Sequence, residues 1–443
     1  MIASRPARSN PDPTGLELIA ARPHLSMHAM DGLVMEGVPL TAIADALGTP
    51  SWVYSAGALR NRLGTLQAAL AGLDAHIHYA VKANGHCAIL RLLASEGAGA
   101  DVVSEGELLR ARDAGVPPSQ IVFSGVGKTA REITLALTEN IAQINVESAE
   151  ELAMLSGLAQ AMARVARVAL RVNPDVDAGT HEKITTGRAH NKFGISLAEI
   201  PSLYAHAAQL PGIRPVGLAV HIGSQILTMR PYTAAYGRVA ALLGELRAAG
   251  HDVEVVDCGG GIGIGYRGEP EPAPAALAGA IRRTLGRLGL RLIVEPGRWL
   301  AGPAGLLLAS VVLIKRTPRT RFVVLDAAMN DLVRPAMYDA WHGIVPLGAA
   351  DAVRPSSAAD IVGPVCETGD TFARNRLLPE LAPNARVAIL DAGAYGSVMS
   401  STYNARPLAA EAMVDGAAWA TIRERQPYRA LWEYESVPAW QTR

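Results

Sequence analysis

The chain has 443 residues, and its 41 lysines and arginines balance 41 aspartates and glutamates. A net charge of zero disfavours a surface for nucleic acid or for an anionic membrane. Hydrophobic residues make up 49% of the chain, but no stretch approaches the roughly 20 consecutive apolar residues that a membrane-spanning helix needs. The composition therefore predicts a protein that binds neither nucleic acid nor membrane.

The three cysteines, Cys87, Cys258 and Cys366, lie far apart in the chain. They form neither a disulfide framework nor a Cys-x-x-Cys metal site, which favours a reducing compartment and predicts a cytoplasmic protein. The first 26 residues lack the apolar segment of a secretory signal. We interpret residues 1–27 as a loosely held tail.

Strand-like and helix-like runs follow this segment. Residues 28–55 contain the short strand-like pieces GLVMEGV and SWVYS and a helical stretch at Thr41–Leu47. Eight apolar or β-branched runs, separated by Ala/Leu-rich helical stretches, then occupy His78–Lys82, Ala100–Ser104, Ile121–Gly125, Ala142–Glu147, Val168–Asn173, Val216–Gly223, Val253–Gly259 and Arg291–Glu295. Eight strands alternating with helices over about 220 residues match a TIM-like (β/α)8 barrel.

After residue 300 the strand-like runs are joined by Pro- and Gly-rich turns without long helices between them. This pattern predicts a second, mostly β domain. We therefore predict an α/β protein with a flexible tail at 1–27, a barrel at 56–300 and a β domain at 301–443 that also takes in residues 28–55.

The carboxyl ends of barrel strands are where catalytic residues gather. Lys82 ends the first run, and partial desolvation would lower its pKa and make it a nucleophile; a lysine that simply reaches solvent remains the alternative. His221 ends the sixth run, where an imidazole can stack on a flat ligand or move a proton, or can be a satisfied core histidine.

The glycine run at 258–265 lacks the spacing and the following helix of a dinucleotide fingerprint. Its backbone N–H groups, including those of Gly260 and Gly261, can cradle one phosphate, although a tight turn remains the alternative. Glu295, Gly297 and Arg298 close the eighth run and suit a ligand that has a basic nitrogen and an anionic group.

The second domain contributes three weaker signals. Arg334 and Tyr338 lie near each other in a turn suited to a carboxylate. Cys366 stands beside Glu367 on a loop, and Tyr395 lies between small residues. His76 and His78 have no third ligand near them in the sequence, and we predict no metal site.

Taken together, these residues resemble the diaminopimelate decarboxylase family, within the alanine-racemase-like fold. The motifs run in family order from about residue 30 to 435. They are YAVKAN (79–84), GADVVSEGEL (99–108), VFSGVGKT (122–129), RVNPDVDAGTH (171–181), NKFGI (191–195), HIGSQI (221–226), GGGIGI (259–264), EPGR (295–298), DAAMNDLVRPAMYDAWH (326–342), GPVCETGD (363–370), DAGAYG (391–396) and TYNARP (402–407).

The resemblance implies that pyridoxal 5′-phosphate is the cofactor and that Lys82 carries it covalently. His221 would stack on the ring of the cofactor, and Glu295 would pair with the ring nitrogen. The residues implied to hold the phosphate are Ser224, Gly260, Gly261, Gly297 and Arg298, with Tyr395 closing the site. Cys366 would return the proton to the α-carbon.

The resemblance also implies a small amino acid as the substrate. Arg298, Arg334 and Tyr338 would bind its distal carboxylate, with Tyr395 beside them, and Glu367 would recognise its distal ammonium. The reaction implied is decarboxylation of meso-2,6-diaminopimelate to L-lysine, the last step of lysine biosynthesis. The Cys-Glu loop would reach the active site of a neighbouring subunit, which implies a homodimer with shared active sites.

Two alternatives stay open at this point. A decarboxylase of the same fold could act on carboxynorspermidine or on a carrier-bound amino acid, although Arg334 together with Glu367 argues against it. A protein that only binds pyridoxal phosphate would have no need of Cys366 or of the β domain.

Overall fold

A computed structural model of the chain describes residues 12–179 and 192–441. Residues 1–11 of the predicted tail lie outside the described residues, as do the motif positions Thr180, His181 and Asn191. No helix of the described part is long and apolar enough to cross a membrane.

The first elements are α1 (Gly15–Ala20), β1 (Leu25–His28), β2 (Gly32–Met35), β3 (Val38–Pro39), α2 (Leu40–Leu47) and β4 (Ser51–Ser55). The predicted tail is wrong from residue 14 onwards. Thr14 and Glu17 form a capping box that starts α1, and Leu18 and Ile19 are buried in a core shared with the second domain. The apolar face of this short helix is what holds the segment in place.

The next elements alternate between helix and strand. They are α3 (Ala56–Leu70), β5 (Ala75–Ala80), α4 (Cys87–Ser95), β6 (Gly99–Val102), α5 (Glu105–Asp113), β7 (Ile121–Phe123), α6 (Ala130–Glu139), β8 (Gln143–Val146), α7 (Ala149–Ala161), β9 (Ala166–Asn173), β10 (Ile195–Ser196), α8 (Ile200–Ala207), β11 (Ile213–Val220), α9 (Arg230–Ala248), β12 (Val255–Gly260), α10 (Pro274–Thr284), β13 (Arg291–Glu295) and α11 (Arg298–Ala301).

Eight parallel strands close into a barrel in the order β5-β6-β7-β8-β9-β11-β12-β13, and β13 pairs back with β5. The predicted (β/α)8 barrel is confirmed. Local sequence explains several of its junctions, because Ser104, Thr129 and Ser148 cap the helices that follow strands β6, β7 and β8. These short junctions leave the strand ends open on one rim.

The remaining elements are β14 (Gly305–Arg316), β15 (Arg321–Leu325), α12 (Arg334–Tyr338), β16 (Ile344–Pro346), α13 (Ala349–Ala352), β17 (Ser356–Val362), β18 (Thr371–Pro379), β19 (Arg386–Ile389), β20 (Ala410–Asp415) and β21 (Ala418–Arg423). The predicted β domain is confirmed as an architecture. Strand β4 lies within its main sheet, antiparallel to β14 and parallel to β20. Arg334 and Tyr338 stand on a short helix, whereas the sequence predicted a turn.

The β domain meets the barrel at the rim where the strands end. Asn84 donates from Nδ2 to the carbonyl of Gly393 at 3.0 Å. The backbone N–H of Tyr395 donates to the carbonyl of Ala83 at 2.7 Å. These two bonds hold the loop of Tyr395 over the turn that contains Lys82.

Candidate active site

Lys82 lies in a 3-10 turn directly after β5, and its Nζ donates to Oδ2 of Asp101 at 2.9 Å. Asp101 is fully buried in β6. Burial lowers the pKa of Lys82, but the negative charge of Asp101 and its hydrogen bond outweigh this effect and the pKa is raised. The lowered pKa expected from the sequence is therefore wrong, because that expectation took no account of Asp101.

A cavity of about 340 Å³ opens next to this lysine. Its lining brings together three side chains predicted from the sequence, those of Lys82, His221 and Glu295. The other lining residues are Val103, Ser124, Gly125, Val126, Asn145, Arg171, Phe193, Ala219, Val220 and Asp257. The amine, imidazole and carboxylate that the sequence placed on one rim thus line one cavity.

His221 follows β11, and its Nδ1 accepts a hydrogen bond from the backbone N–H of Gly260 at 3.3 Å. Burial lowers the pKa of His221 well below its usual value, and the positive charges of Arg171 and Lys82 act in the same direction. The imidazole is therefore neutral. A neutral flat ring at the cavity wall suits packing against another aromatic ring.

Glu295 ends β13 and forms a side-chain hydrogen bond with Asp257 of β12. Burial raises the pKa of both carboxyls, and for Glu295 the negative charges of Asp101 and Asp257 raise it further. The pair therefore holds a proton. Within the described residues, the buried Oε1 of Glu295 receives no hydrogen-bond donor.

Arg298 is buried at the start of α11 and reaches across the rim. It donates from one terminal nitrogen to the hydroxyl of Tyr266 at 2.8 Å and from the other to Oγ of Ser224 at 3.2 Å. Its guanidinium lies 4.8 Å from the ring centre of Tyr395. Its buried Nε has no partner within the described part of the chain, so the cation keeps a donor for an anion.

Three positions of this rim require glycine, because other atoms of the chain lie very close to their backbone. A β-carbon at Gly260 would lie 1.9 Å from the carbonyl oxygen of Glu295. At Gly261, whose φ is +93°, it would lie 2.1 Å from the carbonyl oxygen of Gly223. At Gly297 it would lie 3.0 Å from the β-carbon of Ala83. The backbone of the rim is therefore bare of side chains at these points.

Arg334 is buried at the start of α12. Its guanidinium lies 5.1 Å from the ring centre of Tyr266 and is 2.9 Å from Nε2 of His342. Tyr266 therefore contacts both Arg298 and Arg334. Tyr338 stands at the other end of α12. The structure thus brings two of the three predicted carboxylate-binding side chains, those of Arg298 and Arg334, against one tyrosine.

Cys366 and Glu367 are not brought to this place. Both are exposed, on the loop between β17 and β18. Asp370 shapes the loop by accepting hydrogen bonds from the N–H groups of Val365 and Met329, each at 2.7 Å. Among the described residues, neither side chain has a hydrogen bond or ion pair with the barrel.

Sequence reasoning missed several polar residues of the site. Asp101 and Asp257 are buried carboxylates inside apolar strand runs, and this placement is itself a signal of function. Asn145 also sits inside a strand and contacts Asp257. Tyr266 and His342 gave no signal, since only the folded chain places them against Arg298 and Arg334.

Comparison with known proteins gives the family. The model of the pyridoxal-dependent decarboxylases, pyridoxal binding domain, matches residues 56–302. A diaminopimelate decarboxylase of Zymomonas mobilis is 48% identical, with coverage of 92% of this chain and 97% of that protein. The chain belongs to the diaminopimelate decarboxylase family.

Solved structures of the diaminopimelate decarboxylase family are similar over nearly their whole length. The Helicobacter pylori enzyme, solved with L-lysine, is 39% identical with a TM-score of 0.86, over 89% of this chain and 98% of that one. The M. jannaschii enzyme, also solved with L-lysine, is 34% identical with a TM-score of 0.88, over 96% and 99%.

Pyridoxal 5′-phosphate is the cofactor that diaminopimelate decarboxylases of this fold require, and the residues present fit it. The cofactor has a flat ring, a basic ring nitrogen, an aldehyde and a phosphate. The cavity provides the amine of Lys82 and the buried Oε1 of Glu295, and the unpartnered Nε of Arg298 lies on the same rim, directly after β13. The backbone at Gly260 and Gly261 leaves room that a side chain would fill.

Proposed function

We propose that this chain decarboxylates meso-2,6-diaminopimelate to L-lysine and carbon dioxide, as the last step of lysine biosynthesis. The observation that carries this proposal is the pair of buried arginines, Arg298 and Arg334, gathered around Tyr266 on the rim that holds Lys82. Two buried guanidinium groups favour a substrate with a distal carboxylate. The family relationship supplies the reaction type.

The cofactor, when bound, accepts the electron pair that the departing carboxylate leaves on the α-carbon. In our proposal Lys82 holds the cofactor through its amine, Glu295 faces the ring nitrogen and the neutral ring of His221 packs against the cofactor ring. Ser224, Gly260, Gly261, Gly297 and Arg298 surround the phosphate. Tyr395, which lies over Arg298, closes the site.

The substrate contacts form a second part of the proposal. Arg298, Arg334 and Tyr338 bind the distal carboxylate, with Tyr395 alongside. Glu367 binds the distal ammonium. Cys366 donates the proton to the α-carbon once carbon dioxide has left, a step that requires this thiol to stand within hydrogen-bonding reach of that carbon.

We further propose a homodimer in which the loop of Cys366 and Glu367 completes the active site of the partner. The exposure of both side chains in a single chain supports this arrangement. Mixing inactive Lys82→Ala and Cys366→Ala proteins should then restore about a quarter of wild-type activity, since half of the dimers regain one of two sites. Mixtures that stay inactive would contradict shared sites.

A cytoplasmic location is proposed as well. All three cysteines are free, and Cys87 and Cys366 are exposed, which suits a reducing compartment. Fractionation of the native host with an antibody against the chain should find it among cytosolic proteins, and recovery outside that fraction would contradict the proposal.

The function is tested by measuring carbon dioxide and lysine released from meso-diaminopimelate, with L-ornithine and carboxynorspermidine as comparison substrates. We expect turnover of the first substrate and loss of both turnover and the cofactor absorbance band in Lys82→Ala. Lys315→Ala is the matched control, since Lys315 is exposed on β14 of the second domain and does not line the cavity. Release of carbon dioxide from a comparison substrate alone would contradict the assignment.

A further inference from the structure

Asp257 lies in β12 below the cavity and is 1% exposed. Both of its carboxylate oxygens accept hydrogen bonds from fixed donors. Oδ1 accepts from the backbone N–H of Gly259 at 2.9 Å, and Oδ2 accepts from Nδ2 of Asn145 at 2.8 Å. Two N–H donors stabilise the ionised form of this carboxyl.

Asn145 is itself held in one orientation. Its Oδ1 accepts from Nε2 of Gln143 at 2.7 Å, and its Nδ2 also donates to Oγ of Ser124 at 3.0 Å. These partners keep the amino group of Asn145 directed at Asp257. The negative charge of Asp257 is thus stabilised by the backbone of its own strand and by a side chain of β8, a strand not adjacent to β12.

Glu295 stands in a different environment from its partner. Its carboxyl is hydrogen-bonded to Asp257, and within the described residues it receives no N–H donor. Two carboxyls joined by a hydrogen bond need one proton between them. Because Asp257 has two N–H donors and Glu295 has none, the proton resides on Glu295 and points towards Asp257.

We propose that Asp257 is a positioning residue that keeps Glu295 neutral, so that Glu295 offers the ring nitrogen of the cofactor an oxygen bearing only lone pairs. Such an oxygen forms a hydrogen bond only with a ring nitrogen that carries its own proton. Asp257 then provides the counter-charge for that protonated ring, through Glu295. This inference rests on the proposed function, because it presupposes that the cavity binds pyridoxal phosphate.

A glutamine at position 295 imitates the neutral glutamate. Its amide nitrogen can donate to Asp257 while its oxygen faces the ring nitrogen. Glu295→Gln should therefore keep the cofactor affinity within about threefold of wild type. Glu295→Ala removes both contacts and should weaken it by about tenfold or more.

The glutamine variant should depend on Asp257. In Asp257→Ala, Glu295 can ionise and provide the charge itself, whereas Asp257→Ala/Glu295→Gln removes both carboxyls of the pair and leaves no counter-charge joined to the ring nitrogen by hydrogen bonds. We expect the double variant to bind the cofactor at least about tenfold more weakly than the product of the single effects predicts.

Two readouts test these expectations. Titration of the cofactor-free protein with pyridoxal phosphate, followed by fluorescence, gives the affinities. The ¹⁵N NMR signal of ring-labelled cofactor reports whether the ring nitrogen carries a proton. It should report a protonated nitrogen in wild type and Glu295→Gln and an unprotonated nitrogen in the double variant, an effect that a merely structural role of Asp257 would not produce.

The outcomes separate the two proposals. If Glu295→Gln leaves the ring unprotonated while Asp257 is intact, Glu295 itself carries the charge and the inference is wrong; this single variant decides the matter even if Asp257→Ala does not fold. Wild-type protein that binds no cofactor would overturn the proposed function first. Decarboxylation by wild type together with an unprotonated ring would overturn only the inference.

Discussion

Neighbouring charge affects the pKa of Lys82 more strongly than burial does. Its amine lies 2.9 Å from Asp101, and this carboxylate raises its pKa although desolvation acts in the opposite direction. A raised pKa keeps the amine protonated and slows its attack on an aldehyde. The lysine therefore becomes a nucleophile only after it loses a proton, and Asp101 sets the pH at which this happens.

Asp101→Asn should lower the pKa of Lys82, because it removes the largest positive contribution to that pKa. The rate at which cofactor-free protein takes up pyridoxal phosphate should then rise at lower pH than in wild type. Stopped-flow absorbance between pH 6 and 10 measures this, with the exposed Asp113→Asn as the control. An unchanged or upward-shifted profile would show that Asp101 does not govern the lysine.

Tyr266 is expected to matter more than its position in a glycine-rich loop suggests. Its hydroxyl accepts from Arg298 and its ring faces Arg334. Tyr266→Phe removes a hydrogen bond to a charged group, which contributes about 1.5–3 kcal/mol, and we expect cofactor affinity to fall about tenfold or more. Tyr204→Phe, which loses only a bond to the carbonyl of Asp252, should leave the affinity unchanged.

At the scale of elements, a buried ion pair adds to the apolar contacts of α1 in holding the N-terminal segment. The guanidinium of Arg22 bonds to both carboxylate oxygens of Asp391, and the two residues are 6% and 3% exposed. Asp391 stands just before the loop of Tyr395. The pair therefore couples the region around α1 to the loop that covers Lys82.

Arg22→Met should destabilise the fold by about 3 kcal/mol or more, because it leaves a buried carboxylate without a partner. Arg22→Met/Asp391→Asn removes that charge and should recover part of the loss. Arg60→Met is the control: its pair with Asp415 is 38% and 57% exposed, and such pairs contribute about 1 kcal/mol or less. Urea unfolding of the three variants measures the changes in the free energy of unfolding. Equal effects of Arg22→Met and Arg60→Met would show that the buried pair stabilises the fold no more than the exposed pair does.

Some of the strands and helices can be predicted from the sequence and others cannot. The barrel strands are predictable because each is a buried apolar run that ends at a polar residue or glycine. Strand β18 contains no continuous apolar run, since Arg374, Asn375 and Arg376 stand in its middle, and the sequence therefore gives little sign of it. The tail is misjudged because α1 has only six residues and Arg22 is paired with a residue 369 positions away.

The same limit applies to the site. Lys82, His221 and Glu295 are recognisable because strand order places them on one rim. The pair of Asp257 and Asn145 is not recognisable, because the contact joins positions 112 residues apart and its meaning depends on donors contributed by other strands. Tyr266 is likewise visible only once the β domain brings Arg334 against it.

At the scale of the whole molecule, the net charge is zero, but the protein contains buried histidines whose protonation is unfavourable in the folded state. Burial lowers the pKa of His24 and of His78 to about 4. Each must take up a proton on unfolding below the usual histidine pKa of about 6.5, so each lowers stability as the pH falls. Glu107 acts in the opposite sense, since burial raises its pKa to about 7 and its ionisation favours the unfolded chain at higher pH.

His78 allows this acid lability to be isolated. It is buried in the middle of β5 and does not line the cavity of Lys82, and its neutral form is favoured because desolvation outweighs the attraction of Asp101. Above pH 6.5 both the folded and the unfolded chain hold it neutral, and its penalty is absent. Between pH 6.5 and 4 the unfolded chain binds the extra proton, and stability should fall by about 3 kcal/mol through this residue alone.

His78→Gln removes the proton-binding group, so the difference in urea midpoint between wild type and variant should move in favour of the variant as the pH falls from 7 to 4.5. A difference that stays constant over this range would mean that His78 titrates alike in the folded and unfolded chain.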